Sequence, residues 1–316
     1  MSKAADYFTD ASEKIGNILR FPHFVTGVLI VAVGTSLPEL ITSIFGVAKD
    51  EADILSGNVL GSTIANIFLG LGLVVVISRR TAKFNWDSVS NDMPFIIGAL
   101  ILLVLTILDG VFSFYEAIIF VLGYIIYVIY SLQIRKLNPK EIREDLDKEI
   151  KAHEKRGKKK NGAESQARDV LKTAFIFVIS LAVVILAAKY VVDSVIFIAT
   201  AIGLGTSALA ASVIAIGTSL PEISVAISSA KKGHFDMVLG NIMGSNIFNI
   251  LVVFGLVGLF TPISIGSQVL YFILPMTGAA ILVQWLVTMD RKITVTEGLM
   301  MTLLYITFVA KLFRLF

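Results

Sequence analysis

Apolar residues gather into long runs divided by short polar stretches. Runs near 24–47, 54–77, 93–108, 112–132, 173–199, 208–230, 236–260, 268–288 and 295–313 approach the roughly 20 residues that an α-helix needs to cross a bilayer. The pattern predicts nine complete transmembrane helices. The opening stretch, MSKAADYFTDASEKIGNILRFPHF, has neither so long an apolar core nor the unbroken apolar stretch of a signal peptide, and reads as an interfacial or partial helix. Between the fourth and fifth runs lies NPKEIREDLDKEIKAHEKRGKKKNGAESQARD, too dense in charge to bury a core of its own. The chain therefore divides into a membrane half over 1–132, a charged linker over 133–170 and a second membrane half over 171–316.

Composition agrees with that pattern. Of 316 residues 56% are hydrophobic and 16% charged, and the mean hydropathy is +0.83, values of an all-α polytopic membrane protein. The absence of cysteine excludes a disulfide framework and a thiolate metal site. The net charge of +3 does not argue for nucleic acid, because the basic residues cluster beside spans. Lys14, Arg20, Arg79, Arg80, Lys83, the linker, Lys231, Lys232, Arg291 and Lys292 all fall on one side if the spans alternate. The opposite loops carry little beyond Lys49. Lysine and arginine mark the cytoplasmic side, so the linker is expected in the cytoplasm of a cell-membrane protein.

The two halves repeat each other. Glu39 and Glu222 are separated by 183 residues, and the same shift pairs Gly57 with Gly240, Asn58 with Asn241, Gly61 with Gly244, Ser62 with Ser245 and Asn66 with Asn249. It also pairs Ala4, Ala5, Tyr7 and Asp10 with Ala187, Ala188, Tyr190 and Asp193. Further on the shift becomes 181, matching Pro94 with Pro275, Asp109 with Asp290, Glu116 with Glu297 and Tyr124 with Tyr305. The second copy contains five spans, and an odd number makes two copies in series enter the membrane from opposite sides. Such inverted repeats are an architecture of secondary transporters, with the substrate site near the midplane where the copies meet. The first copy lacks a counterpart of Leu171 to Leu186, so about half of its first helix is expected to lie outside this chain.

The best-matched words carry the chemistry. In GTSLPE, Pro38 and Pro221 cannot donate a backbone N–H to the carbonyls of Gly34 and Gly217, so each helix should bend or break there. Thr35, Ser36 and Glu39, like Thr218, Ser219 and Glu222, lie within about one turn of that point. The next span reads GNVLGSTIAN or GNIMGSNIFN, whose glycines form small-xxx-small faces. Ser62 with Asn66, and Ser245 with Asn249, add neutral oxygens one turn apart. Two glutamates among neutral oxygens suit a hard cation such as Ca2+ or Na+ rather than a transition metal. A carboxylate at the centre of a span costs roughly 2.5–3.5 kcal/mol to insert, and no basic residue within the spans is placed to pair with either. Packing alone accounts equally well for the glycines, and for Asn58 and Asn241 packing and ligation stay open.

Other polar residues receive plainer readings. Lys189 and Asp193, four apart, pair or snorkel near a helix end. His23, His153 and His234 sit at span edges or in the linker and read as solvated. Asp109, Asp290, Glu116 and Glu297 read as helix caps. No nucleophile and base converge as an intramembrane hydrolase would require.

The paired GTSLPE words, each followed by GN..GS....N, resemble the alpha repeats of the cation/calcium antiporter superfamily, specifically its sodium/calcium exchanger-like prokaryotic branch. The resemblance implies ten helices in two inverted groups of five, the first incomplete here, with the second, third, seventh and eighth as a rigid core and the first and sixth sliding across it. It implies that Glu39 and Glu222 are central carboxylates shared by Ca2+ and Na+, that Thr35 and Thr218 offer backbone carbonyls to Ca2+, and that Asn66 and Asn249 are the remaining central ligands. Ala32 with Ser36, Ala215 with Ser219, Ser62 and Ser245 match flanking sodium positions. Some relatives, the potassium-dependent branch among them, have aspartate where this chain has Asn249, which argues against potassium dependence. The activity implied is exchange of Ca2+ for Na+ without a cofactor. A site with two carboxylates is neutralised by one Ca2+ or by two protons, so H+/Ca2+ exchange is the alternative. A Ca2+-permeable channel is opposed by the inverted duplication and the lack of a filter-like loop.

Overall fold

The computed structural model describes residues 2–19, 21–48, 52–84, 91–137, 163–201 and 214–312. Ten main helices run through the described residues: α1 (Ser2–Leu19), α2 (His23–Val47), α3 (Ile54–Ser78), α4 (Met93–Ile107), α5 (Phe114–Leu137), α6 (Ala163–Ala201), α7 (Leu220–Lys231), α8 (Phe235–Gly258), α9 (Val269–Thr288) and α10 (Val295–Leu312). Seven of them are long and apolar enough to cross a membrane, and α4 is a shorter apolar helix. Part of the span expected over 208–230, the centre of the expected linker and His153 lie outside the described residues, as does the side chain of Asp193. Helices reach into the 133–170 interval from both ends, α5 to Leu137 and α6 from Ala163.

Burial ranks the helices. The apolar window of α8 is 100% buried and that of α3 78%, against 22% for α5 and 17% for α6. The outer helices present Tyr115, Ile126, Phe175 and Val178 outward, which suits a lipid surround. The centre is close-packed through small residues. A side chain on Gly240 would overlap the Phe24 carbonyl, and a Cβ on Gly244 would stand 2.8 Å from the Val28 Cα. The first half of α2 therefore crosses α8 at backbone distance.

The opening residues form an 18-residue helix, α1. Its mean hydropathy is low because Lys3, Asp6, Asp10, Glu13 and Lys14 occupy one side, while Ala5, Phe8, Thr9, Ala11 and Ser12 are buried. A periodic apolar stripe, rather than an apolar run, holds it to the protein. Ala5 and Phe8 share a cluster with Val31, Leu181, Val184, Val225 and Met237.

Two short strand pairs make the repeat visible. β1 (Ala82–Lys83) pairs with β4 (Lys292–Ile293), matching Ala82 with Ile293 and Lys83 with Lys292. β2 (Val111–Phe112) pairs with β3 (Ile263–Ser264), matching Phe112 with Ile263 and Val111 with Ser264. Under the 181-residue shift each pairing becomes the other. One pair of left-handed turn residues obeys it too, since Gly110 (φ 85) corresponds to Arg291 (φ 53). Glu116 accepts the Ser113 N–H, and Glu297 that of Thr294, each at 2.6 Å, the cap-and-return arrangement of a helix start.

Candidate functional site

Each proline word breaks its helix two residues before the proline, between it and the expected Gly34 or Gly217 carbonyl. α2 is helical over Ala32–Thr35 and again from Leu37, with Ser36 between them at φ −86, ψ 5. Ahead of α7, residues 214–218 are helical and Ser219 stands at φ −79, ψ −5. The missing proline N–H frees the helix to re-aim at the serine, and places a new helix start, with Glu39 or Glu222 in its first turn, against the middle of the protein. A second device follows in the neighbouring helices. α3 widens into a π-helical stretch over Ala65–Leu71 and α8 over Asn249–Val253. Asn66 and its repeat counterpart Asn249 lie at the start of these wide turns, a distortion often found at functional sites.

These devices bring the sequence-selected residues into one buried layer. Glu39, Glu222, Thr35, Ser36, Ser219, Ser62, Ser245, Asn66, Asn249 and Ala32 have no solvent exposure, and Thr218 and Ala215 almost none. Ser36 donates to Glu222 Oε1 at 2.9 Å, so the first repeat touches the second at its carboxylate. Ser62 Oγ lies 3.3 Å from the Ala215 carbonyl and 3.2 Å from Thr218 Oγ1, the reverse crossing. Ser219, Ser245 and Asn249 share the layer by burial and by repeat position.

Asn58 and Asn241 have a definite structural task. The Asn58 amide donates to the Glu39 backbone carbonyl and Asn241 to that of Glu222, each at 3.2 Å. Asn58 Oδ1 then accepts from Thr218 at 2.9 Å, and the Thr35 hydroxyl lies 3.4 Å from Asn241 Oδ1. Each asparagine thus ties the broken helix of its own repeat to the threonine of the other. Asn246, which donates nothing to the repeat pattern because its counterpart is Thr63, accepts from the Asn66 amide at 3.2 Å. Repetition therefore does not single Asn246 out in the sequence. His23 and His234 also depart from expectation. They are half-buried and stacked on each other, with ring centroids 4.6 Å apart, rather than separately solvated.

Several oxygens in the layer are left over. Glu39 Oε1 and Oε2, Glu222 Oε2, Asn66 Oδ1, Asn249 Oδ1, Ser219 Oγ and Ser245 Oγ are buried without a hydrogen-bond partner among the described residues. Seven such oxygens from two repeats, two carboxylates among them, are costly to leave bare. Their chemistry is that of a dehydrated hard cation's coordination shell.

Comparison with known proteins follows the same lines. A family model described as sodium/calcium exchanger protein matches residues 1–133 and 172–314. The chain is 32% identical to the sodium/calcium exchanger MaX1 of Methanosarcina acetivorans over 98% of its own length and 95% of that protein's. It is 30% identical to the inner membrane protein YrbG of Escherichia coli over 82% and 76%. The solved structure of the sodium-calcium exchanger NCX_Mj, soaked with Na+ and Ca2+, superposes with a TM-score of 0.75 at 28% identity, covering 98% of this chain and 93% of that one.

Proposed function

From the premise that the chain belongs to the sodium/calcium exchanger protein family, we propose that it is a secondary active antiporter moving Ca2+ against Na+ through the buried layer between the repeats. The observation that carries this reading is the set of seven unpartnered buried oxygens contributed by both repeats. Two carboxylates match the charge of one Ca2+ or of two Na+, so the two cargoes are alternative ways of neutralising one site. Glu39 and Glu222 hold the shared charge. Ser36, Ser219, Ser62, Ser245, Asn66 and Asn249 supply neutral oxygens, the Thr35 and Thr218 carbonyls lie at the helix breaks, and those of Ala32 and Ala215, which accept the Ser36 and Ser219 N–H groups, flank them.

The exchange logic follows from electrostatics. A fully buried pair of carboxylates without a cation is strained by desolvation and mutual repulsion, whereas a site loaded with either cargo is neutral. Reorientation of an empty site is thereby disfavoured, and reorientation of a loaded one is allowed, which couples the two ion movements. The repeats, 1–132 and 171–316, supply the two equivalent arrangements that alternating access requires. We place the ends bearing Arg79, Lys83, Lys231, Lys232, Arg291 and Lys292, together with the linker, in the cytoplasm of a cell-membrane protein, since basic residues gather there.

Equilibrium binding tests the reading. Ca2+ should bind the purified chain and be displaced by Na+, with Glu39→Gln and Glu222→Gln each removing both effects. Displacement by a fall in pH but not by Na+ would instead favour H+ as the counter-ion.

A further inference from the structure

Outside the buried layer, a second group of ligating side chains converges where α1 ends, α2 begins and α7 turns into α8. Glu13 lies on α1, His23 opens α2, and His234 precedes α8. The imidazoles stack at 26° between planes, and His234 Nε2 stands 3.2 Å from Glu13 Oε2. One ligand atom from each of the three residues lies within 4.8 Å of the others. The surrounding backbone is fastened in place. Lys232 donates to the Asp6 carbonyl at 2.6 Å and to Asp10 Oδ1 at 2.8 Å, and Ser228 donates to Asp6 Oδ1 at 2.6 Å. Gly233, at φ 85, makes the turn that sets His234 at the cap of α8, and Pro22 fixes the approach to His23. The Glu13 and His234 side chains keep 21% and 23% of their exposure, so an ion could enter from solvent.

We propose that Glu13, His23 and His234 form a binding site for a divalent transition-metal ion of the zinc class, separate from the Ca2+ and Na+ layer. Two imidazole nitrogens and one carboxylate oxygen, with water as the fourth ligand, make a recurrent tetrahedral zinc shell. The same set suits Ca2+ poorly, because Ca2+ takes six to eight oxygens, and nitrogen ligands favour the later first-row metals. Metal–ligand bonds of about 2.0–2.1 Å require the three ligand atoms to draw together from their present spacing. Rotation of the two rings out of their stack supplies that movement. Because the ligands come from three separate segments, the ion would fasten α1 to the start of α2 and to the α7–α8 turn. Binding to the folded chain alone would also stabilise it by mass action.

The test is a Co2+ titration of the purified full chain with Ca2+ held saturating. The expected result is one Co2+ per chain, seen by the strong visible absorption of tetrahedral Co2+, displaced by Zn2+, and accompanied by a rise in melting temperature. His23→Asn and His234→Asn should each weaken binding at least about tenfold and leave stabilisation by Ca2+ unchanged. Absence of tetrahedral Co2+ and of Zn2+ binding in the wild-type chain overturns the proposal, as does equal binding by both variants. If the variants do not fold, the wild-type chain still decides the matter. Zn2+ should protect His23 and His234 from carbethoxylation, read by mass spectrometry, while the third histidine, His153, reacts regardless. Equal reaction of all three with and without Zn2+ contradicts the site.

Discussion

Glu39 is fully buried and neither of its carboxylate oxygens has a hydrogen-bond partner, an arrangement that works against folding unless a cation is bound. Glu39→Gln is therefore expected to abolish Ca2+ transport while the ion-free protein melts at the same or a higher temperature. Wild-type transport by the variant would remove Glu39 from the site. Asn249, the repeat counterpart of Asn66, is buried with both amide atoms unpartnered among the described residues. Asn249→Asp would add a third carboxylate beside two others, and like-charge repulsion makes such a group depend on a bound cation or proton. The Na+ and pH dependence of flux should shift, and unchanged dependence would show that Asn249 does not face the ions. Asn58→Ala strips partners from the Glu39 carbonyl and Thr218 at once, a loss of about 1–3 kcal/mol for buried groups left unsatisfied. A double-mutant cycle with Thr218→Ala measures how much of it crosses between the repeats. The acids and hydroxyls were legible because each recurs at a fixed shift. Asn246 and the His23–His234 stack were not, since their partners are set by helix crossings far apart in sequence.

At the scale of the element, the proline words foretold a break in α2 and ahead of α7, but not that both helices would restart at a serine. The wide turns at Asn66 and Asn249 left no mark in the apolar pattern, because nearly every residue of both stretches is buried whichever way it faces. The glycine words stood open between packing and function, and the structure gives Gly240 a packing role. Gly240→Ala should collide with the Phe24 carbonyl and cost about 1–3 kcal/mol or more, as overpacked sites do. Gly98→Ala, in α4 with nothing within 4 Å, should be neutral or gain up to about 1 kcal/mol from helix propensity. Thermal melting of the two variants in detergent compares them directly. α1 carries a pH dependence of its own. Burial alone would push the Glu13 carboxyl up, but the His234 hydrogen bond and the charges of His234, His23 and Lys232 bring it below its usual range. Glu13 thus supports the folded state above the carboxyl's unfolded-chain value, and that support fades as pH falls through the lower folded value. Glu13→Gln should flatten the acid side of the melting profile.

For the whole molecule, the inverted duplication was readable from two numerical shifts and an odd count of spans, and the exchange of partners between the β1–β4 and β2–β3 pairs expresses it in three dimensions. The helix that apolar counting passed over, α1, belongs to the same symmetry: its match to the end of α6 was in the sequence, while its amphipathic character hid its depth of burial. What no sequence pattern contained is the distance at which the two repeats meet, where Ser36 reaches Glu222 and the leftover oxygens collect. At this meeting place, we propose, Ca2+ exchanges for Na+. Uptake of radioactive Ca2+ into proteoliposomes loaded with Na+ and diluted into Na+-free medium tests it most directly. The predicted result is saturable uptake that needs the outward Na+ gradient, collapses with a Na+ ionophore and is absent from Glu39→Gln and Glu222→Gln. Uptake that ignores the Na+ gradient, or that persists in both variants, would contradict it.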